Sequence, residues 1–258
     1  MFAEERQKQI REMLQKNGAV TTKHLVQAFG VSIETVRRDL LLMEEAGLLN
    51  RVHGGAVATG GMKPYYELPR RNREHSEKKR ELSEIAMSFI SEGDYIGIDA
   101  GSTAAIFAEV LKEHFNNLTV VTHSSDVFET LRESFTVILC GGTYLREENA
   151  FYGALTLQTM ESLHVQKSFI FPSAVSLQFG ICDYQQDLFA PQKKLLEIAD
   201  EAYILADSSK FESRALLKLD DMKPEYCYVT DGALGEDLKA LYKENQLRVL
   251  TKAIKGDK

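Results

Sequence analysis

Ser32-Ile33-Glu34-Thr35-Val36-Arg37-Arg38-Asp39-Leu40 is the stretch on which the fold of the N-terminal part turns. Val31 closes a tight turn after Gly30, and the Ser32 hydroxyl is free to accept an orphan backbone N–H as a helix N-cap. Val36, Leu40 and Met43 recur at helical spacing and predict one apolar face, which leaves Thr35, Arg37 and Arg38 on the others. An arginine can donate two hydrogen bonds to guanine or clamp a phosphate, and the free N–H groups of a helix N-terminus favour a nearby phosphate. Read alone, the same pattern also describes a solvated surface helix.

The flanking sequence narrows the choice. Glu4 to Asn17 carries Ile10, Met13 and Leu14 at helical spacing and stops at Asn17-Gly18. After a short extended Ala19-Val20, Thr21 or Thr22 can cap a second helix through Leu25, Val26 and Phe29, which ends at Gly30. Two short helices joined by a Gly-containing turn, the second one basic, form the helix-turn-helix pattern. Beyond Gly47, Leu48 to Val57 reads as a hairpin with Gly54-Gly55 at or near its turn, and Arg51 and His53 sit where a wing would touch DNA. A flexible linker is the plainer reading of paired glycines, and it stays open for Gly60-Gly61.

Thr35 to Leu40, followed by Arg51-Val52-His53-Gly54-Gly55-Ala56, resembles the motif of the DeoR family of bacterial transcriptional regulators. The resemblance implies a winged helix-turn-helix over residues 1–57, a linker over 58–75 and an effector-binding domain over 76–258. Thr22, Ser32, Glu34, Thr35, Arg37, Arg38, Arg51, His53 and Gly54 are then the candidate DNA contacts.

Composition agrees with a globular chain, 44% hydrophobic in 258 residues. The net charge of -7 is unevenly spread: residues 1–80 hold fifteen Lys and Arg against ten Asp and Glu, so the acidic excess lies downstream. That asymmetry matters more than the sum, because attraction to phosphate is screened beyond about 8–10 Å. Arg70, Arg71, Arg73, Lys78, Lys79 and Arg80 supply much of the basic excess and read either as contacts to the DNA backbone or as a solvated linker. No apolar run approaches the roughly 18 residues of a membrane span, and no signal-peptide core opens the chain, so a cytoplasmic protein is expected. Cys140, Cys182 and Cys227 form no CxxC pair and the six histidines are scattered, so neither a metal nor a cofactor is expected.

From Ser76 onward helical and strand patterns alternate, with strands at Tyr95–Asp99, Leu118–Thr122, Thr136–Leu139, Ser168–Phe171, Ala202–Ala206 and Tyr226–Thr230. The expected fold class is therefore α/β: a small winged helix-turn-helix domain, then a larger, mostly parallel sheet covered by helices, binding ligands off its C-terminal strand ends. Those ends carry polar turns. Asp99-Ala100-Gly101-Ser102-Thr103 combines a close backbone approach with hydroxyls beside free helix N–H groups, which suits a phosphate. Thr122-His123-Ser124, Gly141-Gly142-Thr143 and Asp207-Ser208-Ser209-Lys210 follow in the same style, although Ser124 also reads as a helix cap and Gly141-Gly142 as a tight turn.

This half resembles the DeoR effector domain in Ile98 to Thr103, Gly141-Gly142, Gly153, Leu205 to Phe211 and Thr230-Asp231. The resemblance implies a fold like that of sugar-phosphate isomerases, used to sense a phosphorylated sugar. Isomerisation would need an ordered acid–base set. Asp99, Asp183, Asp207 and Lys210 are conceivable members, but nothing in the sequence orders them, and no catalytic residue is assigned. Two departures from the family pattern stand out. Phe171 replaces a glycine and its ring would fill space a sugar could use; Gln192 stands at the usual lysine, for which Lys193 and Lys194 are the candidate substitutes through a small rotation of the helix. Losing one Lys–phosphate contact costs about 1.5–3 kcal/mol. The candidate effector set is Asp99, Gly101, Ser102, Thr103, Thr122, His123, Ser124, Gly141, Gly142, Asp183, Lys193, Asp207 and Lys210. The reading is a dimeric or tetrameric repressor of sugar-metabolism genes, with operator DNA and a phosphorylated effector of unusual shape as partners. An effector-independent regulator with a silent pocket, and more remotely an isomerase, are the rivals.

Overall fold

The computed structural model describes residues 2–59 and 65–253. The Gly60-Gly61 linker reading lies outside the described residues. The N-terminal part is a three-helix unit with a hairpin: α1 (Ala3–Asn17), β1 (Ala19–Thr21), α2 (Thr22–Phe29), α3 (Ile33–Glu45), β2 (Leu49–Val52) and β3 (Gly55–Ala58). Gly18 and Gly30 end α1 and α2 in the left-handed conformation, which a residue with a Cβ adopts only at a cost. Thr21 caps α2 by accepting the His24 N–H at 3.1 Å, and Ser32 caps α3 by accepting the Thr35 N–H at 3.2 Å. Ile10, Leu14, Leu25, Val36, Leu40 and Met43 close one apolar core between the helices. A buried ion pair ties α1 to α3, with Arg6 Nε donating to Asp39 Oδ2 at 2.7 Å. The wing turn falls at His53–Gly54, one residue earlier than Gly54-Gly55, because Gly55 already pairs with Val52 and with Thr21.

The second part follows the alternation expected for an α/β domain. Its elements begin with α4 (Leu68–Arg73), α5 (Ser76–Ala86), β4 (Tyr95–Ile98), α6 (Ser102–His114), β5 (Thr119–Thr122), α7 (Ser125–Leu131) and β6 (Thr136–Leu139). A hairpin, β7 (Thr143–Leu145) and β8 (Ala150–Tyr152), leads to α8 (Ala154–Glu161) and β9 (Val165–Ile170). Then come β10 (Ala174–Ser176), β11 (Gly180–Asp183), α9 (Gln186–Glu197), β12 (Ala199–Leu205), β13 (Leu217–Asp220), β14 (Cys227–Val229), α10 (Glu236–Glu244) and β15 (Arg248–Leu250). Seven strands form one sheet in the order β15-β14-β12-β9-β4-β5-β6, every neighbouring pair parallel.

Helices cover both faces, as a parallel sheet requires. Leu82, Phe107, Leu111 and Leu131 of α5, α6 and α7 fill one side, and Met160, Leu195, Leu241 and Tyr242 of α8, α9 and α10 fill the other. The strand order runs outward from β4 in both directions, through β5 and β6 on one side and β9, β12 and β14 on the other. The crevice between the ends of β4 and β9 is therefore the topological switch point, where open α/β sheets bind ligands. Phe171 does not obstruct it. Its ring lies 5.5 Å from that of Phe107, centroid to centroid, inside the core. The expectation that this side chain fills ligand space is corrected: at the end of a strand the alternation of sides sends it under α6.

Candidate functional site

Two surfaces collect the candidate residues. On the first, α3 presents Glu34, Arg37 and Arg38 to solvent, with Ser32 at its cap and Thr35 half-buried beside it. Arg37 Nη1 donates to Glu34 Oε1 at 2.9 Å, whereas Arg38 has no carboxylate partner among the described residues. On the wing, Arg51 and His53 are exposed, Gly54 holds the turn at a φ of 87°, and Arg51 N–H donates to Glu44 Oε1 at 2.8 Å. Thr22, Arg37, Arg51, His53 and Gly54 line a single open cleft of about 650 Å³, together with Lys23 and Glu244, which sequence reasoning did not select. A basic helix beside a basic hairpin is the arrangement in which one element enters a groove and the other follows the backbone.

The second surface is a cavity of about 140 Å³ at the switch point. Strand ends contribute Ser102, Ser173, Asp207, Ser209 and Lys210. The opposite wall comes from the segment expected to be a linker and from the start of α5: Tyr65, Tyr66, Arg71, Glu74, His75 and Lys79, with Tyr184 completing it. The basic run is thus not a solvated linker as a whole: several of its cations are engaged within the fold. Arg71 bonds Glu148, Lys78 Nζ donates to Ser208 Oγ at 2.8 Å, Arg80 pairs with Glu113, and Arg70 stacks 3.6 Å over the Tyr66 ring. Lys79, only 3% exposed, donates to Ser102 Oγ at 3.0 Å and to the Arg71 carbonyl. A signal for Lys79 existed: it shares the apolar face of α5 with Leu82, Ser83 and Ala86, where a lysine is rarely left without a task.

Charge in the cavity is held under strain. Burial, with Lys210 nearby, pushes the Lys79 ammonium down to about 8. Burial also lowers Lys210, against the pull of Asp207, and its Nζ donates to the Pro172 carbonyl at 2.8 Å. Burial alone would raise the Asp207 carboxyl, but Lys210, Ser209 and His75 outweigh it and hold it low. Gly101 turns the chain into α6 at a φ of 114°, and a Cβ there would stand 3.8 Å from Arg71 Nη1. Two lysines, an arginine and the start of a 13-residue helix converge on one small space, a setting that attracts an anion.

The remaining predicted residues divide by depth. Asp99 is fully buried behind the cavity, 3.0 Å from His123 Nε2 and accepting from Phe171 N–H at 3.3 Å and Gln192 Nε2 at 3.1 Å. Asp183 accepts from Ser173 Oγ at 2.7 Å and Gln192 Nε2 at 2.9 Å, and burial raises its carboxyl against those bonds. Gln192 therefore bridges two carboxylates, the buried Asp99 and the half-buried Asp183, and is not part of the cavity wall. Thr103 is 1% exposed, and its hydroxyl has no partner among the described residues.

Five residues of the polar turns belong to packing. Thr122 Oγ1 accepts the Ser124 N–H, Ser124 caps α7, and His123 is enclosed between Asp99 and the Phe151 carbonyl. Gly141 and Gly142 make a tight turn against α8, where a Cβ on Gly142 would overlap Thr156. Lys193 is exposed, 5.7 Å above the Phe189 ring, and cannot replace a cavity lysine, because its neighbour Gln192 occupies the inward position of the helix. Among the described residues no group of His, Cys, Asp and Glu is placed to hold a metal, and no helix is long and apolar enough to cross a membrane.

Comparison with known proteins matches two family models to separate parts of the chain. The sequence model of the DeoR-like helix-turn-helix domain matches residues 6–60, and that of the DeoR C terminal sensor domain matches residues 74–232. A lactose phosphotransferase system repressor of Streptococcus mutans is 30% identical over 254 residues, covering 96% of this chain and 99% of the relative. An L-fucose operon activator of Haemophilus influenzae is 29% identical over 242 residues, 92% of this chain and 96% of the relative. Among solved structures, a ribose 5 phosphate isomerase A from Neisseria gonorrhoeae aligns with 58% of this chain and 57% of its own, at a TM-score of 0.39 and 20% identity. A likeness that partial bears on no activity.

Proposed function

Because the chain belongs to the DeoR family of transcriptional regulators, we propose that it represses a sugar-metabolism operon and responds to a phosphorylated sugar held in the switch-point cavity. It is a regulator and not an enzyme. The observation that carries the effector assignment is the meeting of Arg71, Lys79 and Lys210 with the N-terminus of α6 in one cavity. A phosphate monoester carries about −1.5 to −2 charges at neutral pH and three strong acceptor oxygens, which match those donors. Asp207, Ser173 and Tyr184 stand beside them, able to accept from or donate to sugar hydroxyls. With Phe171 turned into the core and Gln192 behind the wall, the reading of a silent pocket loses both of its supports. The cations come instead from residues 71 and 79, outside the stretch where the departures lie.

DNA is bound through α3 and the wing, and the protein acts in the cytoplasm as a dimer or larger, since one reading helix offers little affinity and two half-sites reinforce each other. The test is a DNA mobility shift on the protein's own promoter with and without a panel of sugar phosphates. A specific shift reversed by one phosphorylated compound, and not by its unphosphorylated sugar, is the expected result. A specific shift indifferent to the whole panel would overturn the effector assignment.

A further inference from the structure

The DNA-binding head and the sensor domain share a contact that this reading does not use. Helix α10 of the sensor domain lies against β1 and the wing: Leu238 faces Gly18, Leu241 approaches Gly55, and Ala19 and Val57 are buried in the same apolar cluster. Polar contacts rim the joint. His24 Nδ1 lies 3.1 Å from Asp237 Oδ2, and Asn245 Nδ2 donates to the His53 carbonyl at 3.1 Å. The Glu244 carboxylate fills the space beside Gly54, where a Cβ would overlap it. Glu244 is also the acidic wall of the cleft whose other walls include Lys23, Arg37 and Arg51.

We propose that this docked arrangement is an autoinhibited form, in which α10 pins the wing and sets a carboxylate where DNA phosphates must enter. The inference rests on the head being the DNA-binding surface. A wing held at both Gly55 and His53 cannot settle into a groove, and a carboxylate in the cleft repels the phosphates that Arg37 and Arg51 attract. DNA and α10 compete for one surface, so DNA binding requires release of the head. The same buried face of α10 also meets the segment that follows the cavity residue Lys210: the Tyr242 ring lies 5.6 Å from that of Phe211 and its hydroxyl donates to Glu212. The docked helix is thus a single element that touches both the wing and the effector loop, the kind of shared two-state part that coupling between sites demands.

The experiment is a tether across the joint. The full chain carrying His24→Cys and Asp237→Cys is cross-linked with a short, reducible bis-maleimide and titrated on operator DNA; neither position lines the cleft. Cross-linked protein is expected to bind at least tenfold more weakly than the same protein after reduction. Equal binding in both states would overturn the proposal. Asn245→Ala, which removes a wing contact without changing charge, is expected to raise operator affinity about threefold or more; unchanged or lower affinity would count against the clamp. Wild-type and Arg38→Ala proteins on the same DNA separate the premise from the inference. If neither binds specifically and Asn245→Ala does not bind either, the head assignment fails; if the wild type binds and Arg38→Ala does not, only the clamp is on trial.

Discussion

At the scale of single residues, the two paired arginines differ. Arg37 must leave Glu34 to reach DNA, while Arg38 is exposed without a carboxylate partner among the described residues. Arg38→Ala is expected to lower operator affinity by about 1–3 kcal/mol if the contact is to a base, whereas a phosphate contact would flatten the salt dependence by about one counterion. Titrations at several salt concentrations distinguish the two, and unchanged binding would remove Arg38 from the interface. Lys79 gives a pH-dependent prediction. Its ammonium is held near 8 by burial, and only the charged form pairs with phosphate. Effector affinity should therefore be level just below pH 8 and fall above it, by up to tenfold per pH unit for one linked proton. The same depressed value works against stability: the buried charge costs the empty protein below pH 8, and that cost fades as pH rises toward the ordinary lysine value. Lys79→Met should then lose effector binding in calorimetry with no drop in melting temperature at pH 7. A clear drop would mean that its bonds to Ser102 and Arg71 outweigh the burial cost.

At the scale of elements, α3 shows how much a local pattern specifies. Its cap, its apolar stripe of Val36, Leu40 and Met43, and its basic face were all legible, because each depends on residues within two turns of one another. Asp39 was not legible as structural. It is buried against Arg6 from α1, thirty-three positions away. Asp39→Ala leaves the guanidinium buried without its partner and should destabilise the head by about 3 kcal/mol, the lower end for a broken buried pair. Thermal unfolding of the full chain should show the head melting early, and coincident melting at the wild-type temperature would refute this. The strands β7, β8, β10, β11 and β13 escaped prediction for a related reason. Each is short and forms outside the main sheet through partners supplied by the fold, beyond the strand–helix alternation that marked the parallel strands.

At the scale of the whole molecule, the order of strands places the cavity proposed to hold the effector. Because β4 begins both halves of the sheet, its C-terminal turn opens a crevice toward β9, and the chain that leaves the wing crosses that crevice before α5 begins. The connection between the domains is thus one wall of the cavity, and α10 is the floor on which the head rests. Light scattering at concentrations that give a specific DNA shift should report a dimer or tetramer, as two-fold operators require. A monomer carrying the full specific affinity would contradict that expectation.

The sequence alone determined the winged head, the alternation of strands and helices, and the anion-friendly turns at Gly101 and Asp207, all of them short-range patterns of period, cap and turn. Tertiary structure decided which of those turns form a site. Arg71, Lys79 and Lys210 meet only because parallel strands must be joined by crossovers, which bring distant segments to one edge of the sheet. It also decided that Phe171 points into the core, that Gln192 binds two carboxylates, and that the wing lies under Glu244. Side-chain direction and docking depend on what packs opposite, and no local pattern carries that information.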